Sequence, residues 1–363
     1  MPLVAHSPLP TFDGLRAAGE PVLSVAEAGA QDIRELHIGL LNMMPDAALA
    51  VTERQFISLV GGANAIVHLW VHPFTVPGLA RSPETQAYID AYYTPFDRLR
   101  DEGLDALIIS GANVANPRLE LEPFWEPLQD VVAWAVDNVT SVLCSCLATH
   151  ALVQHRYGIQ RRRLLNKRWG VFAHRAVAPE HPLLRGTNTR FDVPHSRWNA
   201  LTSRQLAEVG IRVLVESVEG DFHMGTSPDG LRMIYLQGHP EYGTVSLLKE
   251  YKRELTRYLA GELDAAPPYP DRYFSDRAAR IAGDHLEAAL AARDAGDPAP
   301  ELPEATLAAT LDNTWADTAK AIFNNWLGLV YRLTDVKRGV PFMDGVDPDD
   351  PLGLGAVGPR PAG

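Results

Sequence analysis

Thr140-Ser-Val-Leu-Cys-Ser-Cys-Leu-Ala-Thr-His-Ala-Leu-Val-Gln154 reads as a short apolar strand that turns at Cys146 straight into a helix. Such a turn lifts one side chain clear of the end of a sheet. The partial positive charge at the helix N-terminus beneath it favours a thiolate. Free cysteines are commonly buried as small hydrophobes. The position at the strand-to-helix turn therefore marks Cys146 as a nucleophile and leaves Cys144, inside the strand, to the core.

Upstream, Leu36-His-Ile-Gly-Leu-Leu-Asn42, Ala65-Ile-Val-His-Leu-Trp-Val71 and Leu104-Asp-Ala-Leu-Ile-Ile-Ser110 have the continuous apolar character of strands buried on both faces. Helical spacing separates them: Leu49, Phe56, Ile57 and Val60 share one face, a helix is expected near 94–102, and Trp125, Val131, Val132 and Trp134 repeat at helical period. Strand alternating with helix predicts an α/β fold, a doubly wound and mostly parallel sheet covered on both sides. Ligands in such sheets sit at the carboxyl ends of the strands, where both Ser110-Gly-Ala112 and Cys146 fall.

The second half is denser in Arg, Gly and Pro. Short strands are expected at 211–217, 221–226 and 231–236, and a helix at 244–260. After the Pro267-Pro-Tyr-Pro270 break come an amphipathic helix at 276–293, a flexible 296–303 link and a last helix at 307–333. The chain thus divides into an N-terminal arm (1–33), a catalytic α/β domain (34–265), a C-terminal helical extension packed on it (266–338) and a Pro-, Gly- and Asp-rich tail expected to be disordered (339–363).

The formal net charge of −12 offers no broad cationic footprint for nucleic acid or an anionic membrane, so neither is expected as a partner. Cys144 and Cys146 are the chain's two cysteines and are poorly placed to pair, a reduced, intracellular pattern. The N-terminus lacks a basic region followed by an apolar stretch, and no apolar run approaches the roughly 20 residues of a membrane span. A cytoplasmic location is expected. There is no dinucleotide fingerprint or phosphate-cradling loop, and none of the twelve histidines shows ligand spacing with the cysteines, so neither cofactor nor metal is expected.

Gly238-His-Pro-Glu-Tyr242 supplies the partners of the nucleophile. In an extended segment, residues two apart project to one side, so Glu241 can orient the His239 imidazole as the third member of a triad does. Lys167 and Arg253 are candidates for holding a carboxylate, although most Lys and Arg are simply surface charge. The Arg161-Arg-Arg163 run reads as a solvated face.

From about Ile33 to Pro341 the chain resembles the homoserine O-acyltransferases of the succinyltransferase type. The resemblance is carried by Leu41-Asn-Met-Met-Pro45, Thr52-Glu-Arg-Gln-Phe56, Ile109-Ser-Gly-Ala112, the Cys146 segment, Tyr157-Gly158, Lys167, Pro194-His-Ser-Arg197, Gly238-His-Pro-Glu-Tyr242, Arg253 and Phe323-Asn-Asn-Trp326. It implies a flavodoxin-like, class I glutamine-amidotransferase-like fold and a role at the start of methionine synthesis. It also implies Cys146 as nucleophile, His239 as proton acceptor, Glu241 as the adjoining carboxylate, and Lys167, Ser196 and Arg253 as amino-acid-binding positions. A homodimer is suggested by the resemblance alone. The position that tunes acyl-donor choice falls on Ala115, which is small and neutral and leaves room for a succinyl chain. The family's usual lysine pair after Met-Pro is replaced by Asp46 and Ala47, its Trp after the nucleophile by Leu147, and a Gln further on by His150.

The chemistry expected is transfer of a succinyl group from succinyl-CoA, a co-substrate, to L-homoserine through a Cys146 thioester. Backbone N–H groups of Leu147, Gly111 and Ala112 would form the oxyanion hole. Acetyl-CoA as donor and serine as acceptor are the nearest alternatives. A glutamine amidotransferase or amidase would use the same fold and triad but usually has Gly where Ala148 stands. A non-catalytic binding protein is a third alternative.

Overall fold

A computed structural model describes residues 3–63 and 67–355. Its strands are β1 (Leu3–Ala5), β2 (Val22–Ser24), β3 (Glu35–Met43), β4 (His68–Phe74), β5 (Ala106–Ala112), β6 (Ser141–Ser145), β7 (Arg162–Ala176), β8 (Arg190–Ala200), β9 (Arg212–Ser217), β10 (Phe222–Thr226) and β11 (Met233–Leu236). They form one sheet in the order β2-β1-β4-β3-β5-β6-β11-β10-β9-β7-β8. From β2 to β11 neighbouring strands run parallel; from β11 to β8 they run antiparallel.

The parallel half is the doubly wound sheet expected from the alternation. Leu36, Ile38 and Leu40 of β3 join Phe56, Val60, Phe323 and Trp326 in a core on one face. Leu41, Leu107, Ile109 and Cys144 join Leu128, Val132 and Leu152 on the other. β6 pairs with β5 on one side and β11 on the other, so its C-terminal end lies mid-sheet, where ligands of open parallel sheets collect.

Several expectations need correction. The described residues of the 1–33 segment are not an arm: β1 and β2 extend the sheet beyond β4, and Leu9, with Phe12 and Leu15 of the helix Pro10–Ala17, is buried in the core. Such three-residue strands are too short to show a period. The connection before 94–102 holds a further helix, Pro83–Tyr92, started by Ser82 as N-cap and Pro83 in the first turn. The last helix is divided into Glu304–Ala308 and Ala316–Leu333, because Asn313 Oδ1 accepts from the N–H groups of Trp315 and Ala316 and starts the second piece afresh. The tail is ordered in part: Phe342 and Leu352 pack on the core, and Arg212 donates to the Gly355 carbonyl. The expected strand residues Ala65 and Ile66, and residues 356–363, lie outside the described residues.

The largest unexpected element is the β7–β8 hairpin. β7 carries Arg162, Arg163, Lys167, Arg168 and Arg175, and its pairing with β8 is irregular between Arg163 and Arg168. No simple alternation survives that pattern. Midway along it, Gly170 has φ 144° and bridges Asp271; a Cβ there would fall on the Asp271 backbone. Gly170→Ala is therefore expected to lower stability by about 2 kcal/mol or more, read as a lower urea midpoint.

No helix among the described residues is long and apolar enough to cross a membrane.

Candidate active site

Cys146 has φ 49° and ψ −107°, a backbone conformation that non-glycine residues rarely adopt. Holding it costs about 1–3 kcal/mol, and such strain collects at functional sites. The turn is over-determined by its surroundings. Cys146 N donates to Leu236 O at 2.8 Å, and Thr149 Oγ1 bonds the carbonyls of Cys144 and Leu236 at 2.9 and 2.8 Å. The ends of β6 and β11 are thus sewn together beneath the half-buried sulfur. Cys144 behaves as expected of a core residue: it is fully buried, and burial pushes its thiol up, away from reactivity.

His239 follows directly after β11. Its Nδ1 lies 2.8 Å from Glu241 Oε1, both residues are buried, and the ring lies within electrostatic reach of Cys146. Burial disfavours a charge on this imidazole, but the negative charges of Cys146 and Glu241 outweigh it and hold its pKa well above the ordinary histidine value. Ser145 Oγ lies 3.5 Å from the same Glu241 oxygen. The backbone N–H of His239 donates to Pro194 O at 2.9 Å, which pins the Gly238–Tyr242 loop to β8. Cys146 thus meets a His239–Glu241 pair from far along the chain, with the imidazole between sulfur and carboxylate.

The expected oxyanion donors gather at the same point. Leu147 opens the helix, where first-turn N–H groups have no intrahelical acceptor. Gly111 closes on it: a Cβ there would lie 3.8 Å from Cys146 Cβ and 4.0 Å from Leu147 N. Ala112 is in register with Met43 at the end of β5. Ala115 is exposed on the following loop, where its N–H and that of Asn116 both donate to Glu122 Oε1. Asp46, in the place of the missing lysine, accepts from Ser82 N at 2.7 Å and pairs with Arg81 at 3.3 Å. It braces the loop rather than offering a cation. Arg161 is half-buried and makes no hydrogen bond or ion pair among the described residues, whereas Arg162 and Arg163 are exposed.

Lys167 and Ser196 lie on neighbouring strands of the hairpin and converge on a residue that the sequence reading missed, Glu250. Ser196 Oγ donates to Glu250 Oε2 at 2.6 Å, Lys167 Nζ lies 3.4 Å from the same oxygen, and Tyr242 OH donates to Oε1 at 2.8 Å. The Tyr242 ring in turn stacks on His239 with centroids 4.3 Å apart. Arg253 is 57% exposed and pairs with the adjacent Glu254 at 2.9 Å. Of the three expected amino-acid-binding residues, it is the one outside this buried network.

Behind the Gly238–Tyr242 loop, His174, His195 and His223 are buried with ring nitrogens close enough to suggest metal ligands. Their hydrogen bonds argue otherwise. Arg197 Nε donates to His195 Nδ1 and Gly238 N donates to His223 Nδ1, so each of these rings must carry its proton on Nε2, the atom facing the cluster. Burial lowers the pKa of all three, to about 4 for His174. The cluster is a neutral, hydrogen-bonded support for Gly238, where a Cβ would come within 2.9 Å of His195 Cε1. His150 supports the same loop by bonding Gln237 Oε1 at 3.1 Å.

The family model for homoserine O-succinyltransferase (HTS) matches residues 2–336. A curated homoserine O-succinyltransferase from Methylococcus capsulatus is 58% identical over 354 residues, 98% of this chain and 100% of the relative. Its counterpart from Methylobacter tundripaludum is 57% identical with the same coverage. The solved structure of a glutamine amidotransferase from Methylobacillus flagellatus is 13% identical, covers 82% of this chain and 95% of that one, and has a TM-score of 0.42.

Proposed function

Because the chain belongs to the homoserine O-succinyltransferase family, whose enzymes are acyltransferases of methionine biosynthesis, we propose that it moves a succinyl group from succinyl-CoA to the hydroxyl of L-homoserine through a thioester on Cys146. The observation that carries this reading is the strained turn that holds Cys146 against the buried His239–Glu241 pair.

The steps follow from that arrangement. His239 accepts the Cys146 proton, and the thiolate attacks the thioester carbonyl. Leu147 N–H and the Gly111–Ala112 turn face the oxyanion, a donor there contributing roughly 3 kcal/mol. The tetrahedral intermediate collapses, the bond to CoA sulfur breaks, and His239 returns its proton to the leaving CoA thiolate. Homoserine then enters. His239 takes the hydroxyl proton, the oxygen attacks the acyl-enzyme, and Cys146 leaves as thiolate. Glu241 accepts a hydrogen bond from Nδ1–H throughout and so leaves Nε2 to work on the sulfur and the hydroxyl. Lys167 and Ser196 line the acceptor side of the site. No resident cofactor or metal takes part in this scheme.

The donor preference rests on Ala115. A small neutral side chain there does not repel the free carboxylate of a succinyl group, and the nearby Glu122 carboxylate is occupied by two backbone N–H groups. Mixing the protein with succinyl-CoA in the absence of acceptor is expected to leave a succinyl adduct on Cys146 by mass spectrometry, and L-homoserine is expected to discharge it. Faster loading from acetyl-CoA would reassign the donor. No adduct from either thioester would remove the acyl-enzyme.

A further inference from the structure

Glu250 is a carboxylate held out of water beside a catalytic base, and nothing in the acyl-transfer scheme above uses it. Its side chain is 15% exposed. Burial would push its carboxyl up, but Lys167, Ser196 and Tyr242 together hold it below the ordinary glutamate value, so it is an anion at neutral pH. A buried ion pair of this kind is a poor stabiliser, since desolvation of both charges offsets their attraction. A purely structural role leaves its charge without a reason.

Position supplies one. Tyr242 spans the gap between base and carboxylate: its ring stacks on His239 and its hydroxyl donates to Glu250. Glu250 therefore lies about one tyrosine ring from the imidazole that deprotonates the acceptor. Lys167 is already engaged with Glu250 Oε2 and sits 4.4 Å from the Trp169 ring centroid. A simple anion approaching Lys167 would also meet Glu250. The Lys167–Glu250 pair instead suits a ligand that carries both signs side by side, as an α-amino acid does. A carboxylate has about four lone-pair positions, and the three contacts here leave room for one more donor.

We infer that Glu250 receives the α-ammonium group of the acceptor amino acid while Lys167 faces its α-carboxylate, an assignment that rests on the amino-acid acceptor proposed above. A hydroxyl at His239 and an ammonium at Glu250 fix the acceptor at two points, and so set both its orientation and its class.

The test separates the two half-reactions. Glu250→Gln keeps the shape and removes the charge. Its kcat/KM for L-homoserine is expected to fall about 10- to 100-fold, the worth of a charge-assisted hydrogen bond. Transfer to 4-hydroxybutyrate, which has the hydroxyl and carboxylate but no amine, is expected to change little, and so is loading of Cys146 by succinyl-CoA. Glu250→Asp, which keeps the charge, is expected to retain more of the preference for homoserine over 4-hydroxybutyrate. An equal fall for both acceptors would overturn the assignment, as would an unchanged rate with homoserine. Loss of loading in Glu250→Gln would overturn it too, and would make Glu250 a support for Tyr242 and His239. Failure of the unaltered protein to load would instead strike at the acyl-enzyme itself.

Discussion

Cys146→Ala is expected to lower turnover by about four to six orders of magnitude, because the covalent route disappears while substrate binding and the oxyanion donors remain. The loss should appear in kcat for every thioester donor and every acceptor, since both half-reactions of the proposed scheme pass through the sulfur. The fold should survive. Alanine fits wherever the half-buried cysteine did, and the turn is held by Leu236 O and Thr149 Oγ1, neither of which bonds the Cys146 side chain. Steady-state assay with detection of free CoA, alongside circular dichroism, checks both halves. Normal turnover in the alanine variant would end the acyl-enzyme reading.

Glu241→Gln is expected to reduce kcat by about 10³- to 10⁴-fold with little change in bulk. Glutamine can present its NH₂ to His239 Nδ1 and stabilise the wrong tautomer, with the proton on Nε2 and no base toward the sulfur. The charge effect has a definite sign. The Glu241 carboxylate helps to raise the His239 pKa against the pull of burial, so its removal moves that pKa down. Titration by NMR of ring-labelled histidine should show the downward shift, and the acid limb of the kcat profile should move with it. An upward shift, or none, would mean that the Glu241 carboxylate does not hold the imidazole pKa up.

How far the sequence discloses this site depends on how local each signal is. The turn at Cys146 was legible because an apolar strand and a helix abut within one stretch. The His239–Glu241 contact was legible because extended residues two apart share a side, and the 2.8 Å separation follows from that spacing. Ser196 was reached through resemblance alone, and Lys167 stood out only as one basic residue able to hold a carboxylate, since the β7–β8 hairpin that carries them has an Arg-rich strand with broken register. Glu250 stayed hidden among the charges of a surface-like run: Lys249, Lys252, Arg253 and Glu254 surround it in sequence. Its signal is helical phase. Leu247, Tyr251 and Leu255 form the buried face of the helix Ser246–Leu259, and Glu250 lies against that face, whereas Arg253 points to solvent. The histidine cluster escaped for a similar reason: its members come from β7, β8 and β10, which touch only in three dimensions.

The single sheet changes direction at β11, and that seam separates two duties. In the scheme proposed above, the parallel side carries the sulfur and its oxyanion donors, and the antiparallel side carries the hairpin wall that would meet the incoming amino acid. The imidazole loop leaves β11 at the boundary and serves both. An enzyme laid out in this way can change its nucleophilic alcohol by remodelling one hairpin, or its thioester by remodelling the loop after β5, and leave the bond-making machinery intact. Diversification of either specificity is then a matter of peripheral redesign rather than of reinvention.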